Sequence, residues 1–282
     1  MVSAYGALAL MLVGCNGGTI VLTQQMEARR LVSSLHVDFA KANEAAHRAV
    51  MADTDEASVA AAHEAEQAAT LALQHLSQLQ PVLQSLGYGD EIKILDGFKG
   101  RFAEYRTLDA EILPLAVEST NLKAQRLSFN AGQEAADSFV AALARATTGV
   151  QGAADRAQLA WVAKVAILEI QVSQARHIAE ADDAAMTRIE AKMAASNAAA
   201  HDAVTRLRSR LPGAAPAWAA VTTALDQFID INRQIVELSR RNSNVRSLAL
   251  TLGRKRVVVA AAEDQLHALE EALATHAFTA TR

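Results

Sequence analysis

Two histidines stand in similar settings along this chain. His47 and His177 each lie about six residues before an acidic turn, marked by Asp53 in the first case and Asp183 in the second. An imidazole there either lines a polar pocket and titrates near neutrality, or is a satisfied polar group at a helix edge. A second recurring set is Asn121 with Lys123 and Asn244 with Arg246. An asparagine on a helical seam either fixes register or contacts a ligand. Arg126 continues a seam of Ile112, Leu115, Ser119, Leu122 and Phe129, which points its guanidinium inward, where it needs an anionic partner or must run its stem out to water. Glu44 and His47 have the i, i+3 spacing of carboxylate-bridged di-metal sites in helical bundles. The second pair such a centre needs is missing, because the aligned residue is Gln174 and Glu263 lies four residues from His267. No metal, haem or other cofactor is therefore expected. The chain also has no phosphate-cradling glycine loop and no nucleophile motif, so no catalytic residue is assigned.

The elements that must hold these residues are helices. Of the 282 residues 51% are hydrophobic, mostly Ala and Leu, and only 4% are aromatic, with 4 Pro and 13 Gly. That composition suits many close helix contacts and does not suit sheet pairing. The net charge of -4, with both signs interspersed, gives no basic stripe, so nucleic acid is not an expected partner.

The first eighteen residues bear on placement. Val2 to Val13 is almost wholly apolar and leads to Leu12-Val13-Gly14-Cys15, followed by Asn16-Gly17-Gly18. This resembles the small-residue-then-cysteine arrangement of a bacterial lipoprotein signal, with the single cysteine, Cys15, as the lipid attachment point. A lone cysteine has no internal disulfide partner. An uncleaved anchor from about Val2 to Leu22 and an ordinary cleaved signal are the alternatives. No Lys or Arg precedes Arg29, which is atypical for an export signal. The expected location is extracytoplasmic and membrane-anchored, on the periplasmic side, with everything after Gly18 soluble.

Apolar residues then recur at helical spacing, which predicts an all-α protein. A first helix is expected over Val21–Ala52 and a second up to Leu86, with Thr54 or Asp53 as its cap and Pro81 as a kink or end. Gly87-Tyr88-Gly89 breaks the chain. A third helix is expected from Asp90 to Leu127 and a fourth from Gly132 to Ala146.

The pattern then repeats. A shift of 228 − 105 = 123 sets Tyr105 on Phe228, Ile112 on Ile235, Asn121 on Asn244 and Leu143 on Leu266. Upstream the shift is 177 − 47 = 130, so the first copy carries about seven extra residues, two helical turns that keep the apolar face in register. The expected architecture is two tandem antiparallel four-helix bundles from an internal duplication, 19–150 and 151–282 after the 1–18 anchor, joined at Thr147-Thr148-Gly149-Val150-Gln151-Gly152. They would form either a side-by-side pseudo-dimer or an end-to-end stack.

A long first helix ending in Val50-Met51-Ala52-Asp53-Thr54-Asp55-Glu56, an Ala/Glu-rich second helix and two further amphipathic helices resemble the four-helix-bundle sensor domain of methyl-accepting chemotaxis receptors. The stretch Leu238–Leu250 is similar to bacterial proteins related to that domain. The resemblance implies a small-molecule-binding domain outside the cytoplasm that passes a helix displacement onward. This chain departs from the family in having no paired membrane helices and no cytoplasmic signalling coil, so its state would pass to a protein partner. Two functions follow as expectations: a sensory or ligand-binding module, with His47, Asn121, Arg126, His177, Asn244 and Arg246 as candidate ligand contacts, or a structural bundle docking envelope partners without a small ligand.

Overall fold

A computed structural model describes the backbone of residues 14–148, 154–211 and 215–279, and the side chains of 20–276 within those spans. The apolar run Val2–Val13 and most of the expected linker lie outside the described residues. Cys15 falls where only the backbone is described. Among the described residues there is no strand, and no helix is long and apolar enough to cross a membrane.

The protein is all-α. The helices are α1 (Gly14–Met51), α2 (Asp55–Leu86), α3 (Gly89–Glu118), α4 (Thr120–Leu127), α5 (Gln133–Ala146), α6 (Ala154–Ala179), α7 (Asp183–Arg210), α8 (Ala215–Arg241), α9 (Ser243–Leu250) and α10 (Arg256–Thr279). Single π turns, Ser128–Gly132 and Thr251–Lys255, join α4 to α5 and α9 to α10. The α1–α2 corner forms where the sequence signals it. Thr54 caps α2 by accepting the Ala57 N–H at 3.1 Å, with Asp55 and Glu56 in the first turn facing the positive end of the helix dipole. Gly87 ends α2 at φ +73°, a conformation that costs other residues strain. Pro81 neither kinks nor ends α2 enough to divide it, since the helix continues to Leu86.

The chain forms two compact units, but not in sequential halves. Among the described residues, one contains those up to Val117 together with those from Leu248 onward, and the other contains those from Glu118 to Ser247. This corrects the expected boundary at 150/151: α10 joins α1, α2 and α3, while α4 and α5 join α6, α7 and α8. The reason lies in the apolar patterning. The fourth helices carry similar apolar spacing, so either one can close either bundle, and periodicity does not choose between them.

In the first unit Phe39 of α1 meets Phe98, Phe102 and Tyr105 of α3 edge-on, with centroids 5.2–6.0 Å apart, and Val258, Ala262, Leu266, Leu269 and Leu273 of α10 complete the core. Burying each large side chain contributes about 1.5–3 kcal/mol. Ala42, Ala46 and Ala49 of α1 and Ala61, Ala65 and Ala72 of α2 belong to the same core, and their small side chains permit close helix approach. In the second unit the core is built on Phe139, Ile167, Leu207, Trp218 and Phe228, with the Trp218 indole N–H donating to the Leu211 carbonyl at 3.0 Å.

The expected third helix is also corrected, while the expected fourth, Gly132–Ala146, forms as α5 (Gln133–Ala146). The run from Asp90 to Leu127 breaks at Ser119, and α4 starts twelve residues before Gly132. Ser119 and Asn242 take left-handed φ of 50° and 54°. Each break frees the first N–H groups of the following helix, and the two helix starts cap each other within the second unit. The Thr120 N–H donates to Ser243 Oγ at 2.9 Å, and the Ser243 N–H to Thr120 Oγ1 at 3.1 Å. The Asn121 and Asn244 N–H groups likewise donate to each other's side-chain oxygens at 3.1 and 3.2 Å.

Candidate functional site

Tyr105 and Asp109 sit four residues apart on α3, so they share one helix face. Both are buried, and Lys255, the last residue of the second π turn, reaches them from the other end of the first unit's chain. Lys255 has no solvent exposure. Its ammonium donates to Asp109 Oδ1 at 2.5 Å and lies 4.7 Å from the centre of the Tyr105 ring. A π turn inserts one residue into the helical repeat, which changes the face on which the following side chains emerge. Burial lowers the Lys255 pKa and the Asp109 carboxylate works against that shift. Burial, reinforced by Asp109, pushes the Tyr105 phenol well above its ordinary value, so it stays protonated. The phenol oxygen is buried with no hydrogen-bond partner within normal reach, as is the hydroxyl of Thr251 on the π turn. An unmet buried hydroxyl costs about 1–3 kcal/mol.

Tyr105 and Asp109 form part of the wall of a half-open cleft of about 470 Å³ between α2 and α3. Ala65 and Thr70 line its α2 side, and the exposed Glu66 and Arg106 stand at its rim. The cleft thus offers a carboxylate already engaged on one oxygen, a phenolic donor and a rim with one charge of each sign. A ligand that brings a cationic or amide N–H to Asp109 and an acceptor to Tyr105 matches this lining.

His47 of α1 belongs to the same electrostatic neighbourhood. Burial lowers its pKa, the Lys255 charge lowers it further, and Asp109 opposes both.

His177 is fully buried in the second unit. Its Nδ1 lies 2.6 Å from Ser239 Oγ, and its Nε2 lies 2.8 Å from Glu190 Oε1. Arg240 grips Glu190 with Nε at 2.6 Å and Nη2 at 3.0 Å, and the same Nη2 donates to Thr187 Oγ1 at 2.7 Å. Arg240's hydrogen bond holds the Glu190 carboxyl below its ordinary pKa; burial opposes this and His177 assists it. The network is closed and lines none of the clefts described here.

Asn121 is a joint residue. Besides exchanging caps with Asn244, it donates through Nδ2 to the Ile178 carbonyl and to Asn242 Oδ1, each at 2.8 Å. Arg126 and Arg246 are exposed. For Arg126 this is a correction: the break at Ser119 rotates α4 so that Thr120, Asn121 and Ala124 face inward, and the π turn leaves Phe129 67% exposed. The structure therefore brings His47 to a cleft-side charge cluster, places Asn121 with Asn244, and gathers no single site from all six candidates. The second unit also carries a surface groove of about 510 Å³ that includes the exposed Phe129, Leu168 and Val172.

Comparison with known proteins adds no identity: no protein-family model matches the chain, and no curated protein matches it significantly.

Proposed function

We propose that the protein is a membrane-anchored, extracytoplasmic ligand-binding module whose site is the cleft over Tyr105, Asp109 and Lys255, and that it hands its bound state to a protein partner. The observation that carries the binding role is the phenol of Tyr105, buried at the cleft with no hydrogen-bond partner and set beside a charged pair that needs its neighbours. Native cores satisfy nearly all such groups, and orphaned ones mark places where something else supplies the contact. Anchoring rests on the apolar run and Cys15 of the sequence. The kinship to chemoreceptor sensor domains is part of the same proposal and rests on the pattern of helices and the acidic turn.

The cleft chemistry favours a small molecule with a protonated amine or amide donor. Thermal melting of the protein with amines, amino acids and organic acids tests this, because a ligand that binds only the folded chain raises Tm by mass action. Amine- or amide-bearing compounds are expected to raise Tm in the wild type and to lose most of that effect in Tyr105→Phe. A blank panel would remove the binding role. It would leave the rival reading of a bundle that works only through protein contacts, to which the exposed Phe129, Leu168 and Val172 lend support.

A further inference from the structure

Helices α1 and α10 run antiparallel in the first unit. Arg29 donates to the Leu273 carbonyl through Nε at 3.1 Å and Nη2 at 2.7 Å, and two turns later on α1 His36 meets Glu270, one turn earlier on α10. His267 and Glu270 are an i, i+3 pair, so both face His36. His36 Nδ1 lies 3.1 Å from Glu270 Oε1, and His267 Nδ1 lies 3.8 Å from Glu270 Oε2. The two imidazoles stand edge to face with centroids 4.8 Å apart. One donor atom from each residue can be chosen so that all three lie within 4.8 Å of one another.

We infer that His36, His267 and Glu270 form a binding site for one divalent transition-metal ion of the zinc class. Two imidazoles and a carboxylate are borderline ligands that suit zinc, nickel or copper better than magnesium or calcium. Zinc–nitrogen and zinc–oxygen bonds of about 2.0–2.2 Å set the edges of a tetrahedral donor triangle at about 3.3 Å. The His36 Nδ1–Glu270 Oε1 edge, at 3.1 Å, is already close to that value. The widest closes by about 1.5 Å, a motion within reach of the His267 side chain, which is 65% exposed. Three protein ligands leave a fourth position for water, so the site is open and not a closed structural knot. Its consequence is mechanical: the ion ties α10, which returns to this unit from the far end of the chain, to α1. The sequence gives no hint of it, because His36 and Glu270 are 234 residues apart and only the α1–α10 pairing joins them.

The test is titration of the tag-free full chain with ZnCl₂ by calorimetry, together with CoCl₂ followed by visible absorption. One ion per chain is expected, with a cobalt spectrum of the intense tetrahedral type and a raised Tm. His267→Ala should weaken binding by about ten-fold or more, and the pair His36→Ala/His267→Ala should abolish it. The exposure of His267 lets its variant keep the wild-type circular dichroism. His63→Ala, at an exposed histidine of α2, should change nothing. Absence of saturable binding, an isotherm unchanged in His267→Ala, or an equal loss in His63→Ala would each overturn the assignment.

Discussion

Where the first unit buries Lys255 against Asp109 beside Tyr105, the positions set opposite by the 123-residue shift in the second unit are Gly132, Asn232 and Phe228. There the polar residues are neutral and mutually satisfied: Ser128 donates to Gln174 Oε1 at 2.7 Å, and Gln174 donates to Asn232 Oδ1 at 2.9 Å. The first unit's counterpart of Ser128 is Thr251, whose hydroxyl is buried without a partner. The histidines differ in the opposite sense. His177 has Glu190, Ser239 and Arg240 around it, whereas the positions matching these near His47 are Ala60, Ala116 and Val117. Similar helical frames therefore carry two kinds of polar interior. One is closed on itself, and the other has capacity left over at the cleft between α2 and α3.

The largest predicted contrast comes from breaking the charge pair. Asp109→Ala leaves the Lys255 ammonium buried and unpaired, which is expected to cost about 3–5 kcal/mol in urea unfolding. Replacing both groups, in Asp109→Asn/Lys255→Met, should cost less than about 1 kcal/mol, since such a pair is often no more stable than a neutral substitute of similar volume. Equal losses in the two proteins would mean that the pair is a net source of stability and not a specificity device.

Next in size is the histidine contrast. His177→Ala removes a fully buried ring together with its contacts to Ser239 Oγ and Glu190 Oε1, for an expected loss of about 2–4 kcal/mol. His47→Ala, at a half-buried position without that network, is expected to lose about 1 kcal/mol or less. Chemical unfolding of the two variants side by side measures the difference, and equal losses would erase the distinction.

Asn121→Ala should cost about 1 kcal/mol through the lost cap of α9, and combining it with Asn244→Ala should cost less than the sum of the two single changes because they share one exchange. A double-mutant cycle reads this directly.

The smallest effects are in pH dependence, and the two units occupy different windows. The folded Glu190 pKa lies below its ordinary value of 4.5, so the unfolded chain binds more protons there; the contribution is present above about 4.5 and is lost as pH falls through the folded value. Arg240→Ala should flatten that acid limb. The folded His47 pKa lies below 6.5, so again the unfolded chain binds more protons, and stability rises with pH between the folded value and 6.5. His47→Gln should remove that slope and leave the Glu190 limb intact. Stability measured across pH 3–8 separates the two.

Much of the frame was legible from residue types. Period-3.6 apolar spacing marks the long helices, Thr54 and Gly87 announce their cap and stop, and the recurrence of Asn121 at Asn244 points to residues that do meet. The breaks at Ser119 and Asn242 are not legible, since neither is a glycine or proline and the left-handed turn is held by the caps that the two helix starts exchange. The exchange of fourth helices escapes sequence for a related reason: α5 and α10 present similar apolar faces, and only packing decides which bundle each one closes. Lys255 leaves no trace of its role either. The residue that the 123-residue shift sets against it is a glycine, its partner Asp109 lies 146 residues away, and it occupies a π turn that helical periodicity does not describe. Arg126 shows the converse error, because a seam extended through an unseen break points a side chain to the wrong side.

The most direct test of the ligand-binding account is the ligand-induced change in Tm of Asp109→Asn/Lys255→Met beside the wild type, using the amine and amide compounds that stabilise the wild type. The account predicts that the double variant melts close to the wild type without ligand and loses most of the ligand-induced shift. A shift retained in full by a stable double variant would contradict it, and would move any binding site away from the cleft over Tyr105.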